Sequence, residues 1–280
     1  MPCPRTLLPQ LKAMGLTPRK GLGQHYLTDT NILDGIVTAA ELPPDAVVIE
    51  VGPGPGTLTA KLAHRAGRLV SVELDTRLAP LLADLYADEA HVHIVQGDVL
   101  TLSPDQLLNS TGGIAPYFVI ANLPYYITSP LLRHFLEAEP APERMVVTIQ
   151  LDVAQRIIAK PPQMSILAVA VQAYAQPEIV RRLPPGAFYP PPKVHSAVLR
   201  LDRLPNPLVS PEQRQHFFAI VRAGFGQKRK TLRNSLSSGL KLSPRQIEDT
   251  LVAVGISPKQ RAQELDLQQW LAINKALATE

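Results

Sequence analysis

A doubly wound α/β domain followed by a small all-helical one is the architecture this chain predicts, and three observations carry it. From about residue 46, short β-branched runs alternate with helix-patterned segments. A glycine-rich loop, EVGPGPG, follows the first of those runs, and after residue 203 the chain turns helical, with three Ser-Pro pairs. Alternation of this kind builds a parallel sheet whose ligands collect at the carboxyl ends of the strands. At 280 residues the chain can form both domains, each with its own core. The first is expected over 1–203, with 1–30 as a segment lying over the ligand site, and the second over 204–280.

In order, VVIEV (47–51) reads as a buried strand, TLTAKLAHRA (57–66) as a helix and RLVSVEL (68–74) as a second strand. A helix near 76–87, the strand HVHIVQGD (91–98), the strand YFVIAN (117–122), a helix near 129–138 and the strand RMVVTIQ (144–150) continue the series. VHSAVLRL (194–201) is a further strand, and PNP after it is a linker. Ser210-Pro211, Ser243-Pro244 and Ser257-Pro258 each predict a helix start. Serine at the N-cap accepts a bond from a free backbone N–H, and proline at the first helical position gives up a donor the helix cannot use.

Composition narrows the class. The single cysteine, Cys3, excludes an internal disulfide and suits a reducing compartment. The N-terminus lacks an uninterrupted apolar core, and the most apolar stretch, MSILAVAVQAYA (164–175), is too short to span a bilayer. A soluble, cytoplasmic, monomeric protein without membrane contact is the expectation. Net charge is +4, but residues 1–203 hold 17 Lys and Arg against 18 Asp and Glu, whereas 204–280 hold 11 against 6. The basic excess points to an anionic partner at the helical part. His91 and His93 share a strand face without a third ligand nearby in sequence, so no metal site is expected.

The glycine loop places Gly52, Gly54 and Gly56 between the first strand and its helix. Glycine permits positive φ and close backbone approach to a ligand, and the following helix presents free N–H groups to the same space. The spacing is GxGxG, one residue short of the dinucleotide fingerprint. Glu73 ends the second strand, where an acid meets the ribose hydroxyls of a nucleoside. Asp98 ends the third, placed to bond an adenine amino group. Nicotinamide cofactors and S-adenosylmethionine both contain adenosine, so these residues do not decide between them.

The fourth strand does, because it ends in NLPYYITSP (122–130). Adenine's exocyclic amine is a weak nucleophile whose lone pair is delocalised into the ring. The Asn122 side-chain oxygen and the Leu123 carbonyl can accept its two hydrogens and draw electrons back onto nitrogen. Pro124 fixes the chain direction, and Tyr125 offers a face for a splayed base. Tyr126 is expected to pack beneath the motif, and Ser129-Pro130 to open the next helix.

NLPY after EVGPGPG, VELD and GD resembles the ribosomal RNA adenine N6,N6-dimethyltransferase family, whose fold is the Rossmann-like class I methyltransferase sheet. The similarity extends over GLGQHYL (21–27), QLDVAQRI (150–157), FYPPPKVHSAVLRL (188–201) and FGQKRKTLRNSL (225–236). It implies S-adenosylmethionine as cofactor, with His25 and Leu27 at its methionine part, Gly52 beneath it, and Gln24, Gly54 and Gly56 as further cofactor-binding residues. It further implies Glu73 on the ribose, Asp98 on the adenine and Asn122 joining cofactor to target, with Phe188 stacking on the target base opposite Tyr125. His25 stands where the family has asparagine and Tyr26 where it has phenylalanine. The stretch after Lys160 lacks the family's aromatic-glycine pair.

The implied substrate is small-subunit ribosomal RNA in a pre-30S or 30S particle, dimethylated at two adjacent adenosines near its 3′ end. Lys228, Arg229, Lys230 and Arg233 are the expected phosphate contacts, with Arg19 and Lys20 extending the track. Two rivals stand beside this reading. One is the related large-subunit RNA methylase of macrolide resistance; the other is a non-catalytic RNA-binding assembly or transcription factor on the same fold.

Overall fold

The computed structural model describes residues 6–110, 112 and 116–278, so Cys3 lies outside the described residues. The chain forms two compact units, one of residues up to 154 together with 178–203, the other of 155–177 together with those from 204 onward. The sequence predicted a single passage after residue 203. Residues 155–177 join the second unit because helix α8 (Ile166–Gln172) buries Ala168, Val169 and Val171 there. Tyr174 packs on Phe218 with ring centroids 6.5 Å apart. The carbonyls of Tyr174 and Ala173 accept from the N–H groups of Leu204 and Leu208, each at 2.9 Å.

The chain opens with α1 (Leu8–Ala13), β1 (Tyr26–Leu27), α2 (Thr30–Ala40), β2 (Val47–Val51), α3 (Thr57–Leu62), β3 (Arg68–Glu73) and α4 (Leu78–Leu85). It continues through β4 (Val92–Gln96), α5 (Pro104–Ser110), β5 (Tyr117–Asn122), α6 (Thr128–Leu136), β6 (Arg144–Gln150) and α7 (Leu151–Ile157). After α8 come β7 (Ala175–Leu183), β8 (Phe188–Tyr189) and β9 (Ser196–Arg203). The main sheet has the order β4-β3-β2-β5-β6-β9-β7. Its middle strands read as apolar runs because helices cover both faces. β5, for example, is buried from Tyr117 to Ala121, and only Asn122 emerges.

From β4 to β6 the strands run parallel. β9 departs from the all-parallel expectation and pairs antiparallel with β6, with Gln150 opposite Ser196. The two strand ends are tied together: Leu151 N–H donates to the His195 carbonyl at 3.0 Å. A strand that begins where its neighbour ends must run the other way. β7 closes the far edge with Arg181 and Arg182 exposed, charges that discourage pairing with another strand.

The predicted helix start at Ser129-Pro130 moves to Thr128, after a single 3₁₀ turn at Tyr125–Ile127. Pro130 then falls in the first turn, where its missing donor goes unused.

The second unit is helical: α9 (Pro211–Phe225), α10 (Leu232–Leu240), α11 (Pro244–Ala253) and α12 (Leu267–Leu277) follow α8. Trp270 and Phe217 are fully buried in it, and the Trp270 ring stacks on Phe225 at 5.5 Å. Ser210 and Ser243 stand at the predicted N-caps of α9 and α11, Ser243 in a full capping box with Gln246, whereas the Ser210 hydroxyl donates to Glu212 at 2.6 Å and accepts no backbone N–H. Ser257-Pro258 starts no helix. It forms a turn instead, in which the carbonyls of Pro258 and Gln260 accept from Arg233 and Leu232 at the start of α10. The turn therefore caps a neighbouring helix rather than opening its own.

Candidate active site

One pocket opens at the carboxyl ends of β2, β3, β4 and β5. The register puts Glu73 opposite Gln96, and Asn122 one residue beyond the Val51–Ala121 pair, so four strand ends meet there. Gln24, His25, Leu27, Gly52, Gly54, Glu73, Asp98, Asn122, Leu123 and Pro124 all line it. Sequence-distant residues become neighbours because parallel strands bring every second-layer loop to the same side.

The glycines divide by task. Gly52 has φ +67°, and a Cβ there would meet no protein atom within 4 Å, so any side chain would stand in the ligand's space. Gly54 passes so close to Tyr26 that a Cβ would lie 3.1 Å from its ring. Gly56 is not part of the lining. It holds φ +80° at the N-cap of α3, where a Cβ would lie 2.9 Å from Leu82, so it serves helix packing and not ligand approach.

Glu73 is fixed from both sides. One carboxylate oxygen accepts from the Gly54 N–H at 2.9 Å and the other from the Asp75 N–H at 2.8 Å. Burial pushes its pKa up, and those two backbone donors oppose the shift. Each oxygen keeps a further lone pair for a hydroxyl. Behind it, Glu50 is fully buried, with its pKa pushed up by burial to about 7, and accepts from Ser71 Oγ at 2.7 Å. Asp98 is exposed and uses one oxygen to accept from Leu100 N–H at 3.0 Å, which caps the turn at Val99–Thr101.

The segment from Arg19 to Leu27 forms a strap at the pocket. β1 pairs antiparallel with β8, Leu27 opposite Phe188 and Tyr26 opposite Tyr189. Thr57 Oγ1 donates to the Leu27 carbonyl at 2.9 Å. His25 contacts the Pro190 carbonyl through Nδ1 at 2.6 Å, so that nitrogen carries the proton. Asn122 Nδ2 donates to the His25 carbonyl at 2.9 Å, which turns its Oδ1 the other way.

The aromatic residues fall differently from expectation. Tyr125 is half-buried, its hydroxyl 2.7 Å from Ser196 Oγ, and its ring stacks on His25 at 5.8 Å. Tyr126, expected beneath the motif, is 58% exposed and lines the pocket. In a 3₁₀ turn successive side chains diverge by about 120°, so the two rings cannot share one side. Phe188 is only 4% exposed and belongs to the core with Leu27; the structure does not bring it into the lining. Leu74, Val99 and Leu100 also line the pocket and were missed. Each follows closely on one of the two acids, a position that could have identified them.

His91 and His93 are engaged separately, His91 Nε2 with the Ala63 carbonyl at 2.9 Å and His93 Nε2 with Arg68 at 3.0 Å. In the second unit Lys228, Arg229 and Lys230 lie exposed on the turn between α9 and α10, not on a helix face. Arg233 is half-buried and paired with Glu248 at 2.8 Å. No described helix is long and apolar enough to cross a membrane.

Comparison with known proteins agrees over most of the chain. The family model for ribosomal RNA adenine dimethylase matches residues 15–279. Ribosomal RNA small subunit methyltransferase A of Dehalococcoides mccartyi (strain CBDB1) is 43% identical over 269 residues, covering 95% of this chain and 91% of that protein. The same-named protein of Moorella thermoacetica is 38% identical over 281 residues, covering 98% and 97%. Among solved structures, the 23S rRNA methyltransferase ErmE superposes with a TM-score of 0.71 at 30% identity, over 90% of this chain and 99% of that one. A dimethyladenosine transferase from Plasmodium falciparum superposes at 0.75 with 23% identity, over 90% and 98%, which speaks to the fold alone. The strand-end pocket with NLPY at its fourth strand thus sits in a chain that belongs to the ribosomal RNA adenine dimethylase family.

Proposed function

We propose that this protein transfers methyl groups from S-adenosylmethionine to N6 of two adjacent adenosines near the 3′ end of small-subunit (16S) ribosomal RNA. It does so in the cytoplasm, as a monomer acting on a pre-30S or 30S particle. The family and the names of its relatives support the enzyme class and the RNA. The observation that carries the chemistry is the Asn122 amide. Its N–H₂ is committed to the His25 carbonyl, so Oδ1 is the atom left to accept from a target amine.

The pocket fits the cofactor. Gly52 leaves open space beneath it, and Glu73 keeps lone pairs for two vicinal hydroxyls. Asp98 has an oxygen for an adenine amine, and Leu74, Val99 and Leu100 offer apolar surface to its ring. Bound there, S-adenosylmethionine supplies a methyl group on positively charged sulfur. Asn122 and the Leu123 carbonyl hold the two amine hydrogens, Pro124 fixes the direction of that carbonyl, and Tyr125 supports the base. No strong base is required, because the amine becomes cationic as it gains the methyl and then loses its proton readily. Orientation carries much of the remainder. Phe188, packed behind Leu27, supports the strap and not the base. Lys228, Arg229 and Lys230 contact RNA phosphates.

The deciding assay offers tritiated cofactor to unmethylated small subunits and, separately, to large-subunit RNA. Label in the small-subunit RNA alone is expected. Label in large-subunit RNA would favour the macrolide-resistance reading, and none in either would favour a non-catalytic factor.

A further inference from the structure

The buried carboxylate of Asp75 has no place in the chemistry above, yet polar contacts converge on it. Its side chain is fully buried. It accepts from Gln24 Nε2 at 3.0 Å and from the backbone N–H and Nε of Arg77 at 3.1 and 2.9 Å. Arg77 Nη2 stands 2.6 Å from it and Arg19 Nη1 3.6 Å. Gln24 was expected to bind cofactor and lines the pocket, but its Oε1 and one of its two amide hydrogens are engaged by protein. Oε1 accepts from the Arg19 N–H at 2.7 Å and from the Tyr26 hydroxyl at 2.9 Å, which obliges Nε2 to face Asp75.

The remaining contacts of this part of the strap are internal. Gln24 N–H returns to the Arg19 carbonyl and Gly23 N–H to the Lys20 carbonyl. Among the described residues, the hydrogen bonds and ion pairs linking 19–24 to the rest of the protein, apart from the Tyr26 hydroxyl on β1, end on Asp75. The loop so held carries Leu22, Gly23 and Gln24 into the pocket lining, and Asp75 is two residues from Glu73.

We propose that Asp75 is a positioning residue that latches the 19–24 half of the strap over the cofactor pocket, with Gln24 as the bolt. This rests on reading the pocket as the cofactor site. If the binding-competent state is the latched one, apparent cofactor affinity scales with the fraction latched. A buried bond to a charged acceptor is strong enough that its loss shifts the latch equilibrium roughly ten-fold or more.

The test is Asp75→Asn in the full-length enzyme, with two readouts. Trypsin cleavage after Arg19 and Lys20, followed by mass spectrometry on cofactor-free protein, is expected to accelerate relative to cleavage elsewhere. KM for S-adenosylmethionine is expected to rise by up to roughly ten-fold while kcat at saturation changes far less. Unchanged cleavage overturns the latch, whatever happens to KM. Should Asp75→Asn fail to fold, Gln24→Glu decides. It sets two carboxylates face to face, so S-adenosylhomocysteine affinity by calorimetry is expected to be weak at pH 8 and to recover near pH 5.5, as the introduced carboxyl gains a proton and can donate. A pH-independent affinity overturns the proposal. Glu73→Ala tests the pocket reading separately: if that variant binds cofactor normally, the pocket assignment fails, while the cleavage result still judges the latch.

Discussion

The pocket and the basic turn present their polar groups in opposite ways. In the pocket, the polar groups of Glu73 and Asn122 are each tied to protein before any ligand arrives, leaving defined lone pairs for a ligand. On the turn between α9 and α10, Lys228, Arg229 and Lys230 stand exposed. On the proposed function, geometry selects in the first region and charge attracts in the second. Fixed dipoles suit a reaction that must align one nitrogen with one sulfur. Mobile cations suit a phosphate backbone that offers the same charge at every step.

The largest expected effect breaks the first side of this contrast. Asn122→Ala removes both the acceptor for the amine and the tie to His25, and methyl transfer should fall by at least about 10³-fold. Particle binding, measured by cosedimentation, should survive, since the cationic turn is untouched. Retained turnover would remove Asn122 from its role.

Next is the scaffold that presents the turn. Trp270 is fully buried against Phe225, with Gly224 so close that a Cβ there would lie 2.4 Å from the indole. Trp270→Ala should cost about 3–5 kcal/mol, read by urea denaturation with circular dichroism. The chain's only tryptophan fluorescence disappears with the substitution.

A pH measurement tests the preorganised side. Burial raises the Glu50 pKa to about 7 in the folded protein. The native state therefore holds a proton that the unfolded chain has released above about pH 4.3. Stability from this group is fully present below that value and is lost as pH rises through about 7, by up to about 3 kcal/mol. Glu50→Gln, neutral at every pH, should flatten the fall between pH 5 and 7.5 in denaturant melts. An unaltered slope would show that Glu50 ionises normally.

The smallest effect concerns charge alone. Replacing Lys228, Arg229 and Lys230 by alanine should leave stability unchanged and lower the log-log salt slope of RNA binding by up to about 3. Arg233→Ala should add little, because that guanidinium already faces Glu248. A slope unchanged in the triple variant would leave the turn as a solvated surface.

Much of this was legible in the sequence. β2, β5 and β6 fall on the runs read as strands, since a strand covered on both faces must be apolar throughout. Glu73, Asp98 and Asn122 were found because a parallel sheet obliges strand ends to converge. Less visible were contacts that depend on direction. The antiparallel entry of β9, the return of 155–177 to the helical unit and the capping role of Ser257-Pro258 each depend on distant partners, which local pattern does not encode.

By itself, then, the sequence determined the sheet, its glycine loop, the acids at its strand ends and the NLPY motif, because period, turn chemistry and strand-end position are local properties. Only the tertiary structure decided how these groups are occupied. Gln24 is bound to Asp75, Gly56 guards a helix contact, Phe188 lies in the core, and Tyr126 is more exposed than Tyr125. A side chain's residue type states what it can bond, and its folded neighbours decide which of those bonds remain for a ligand.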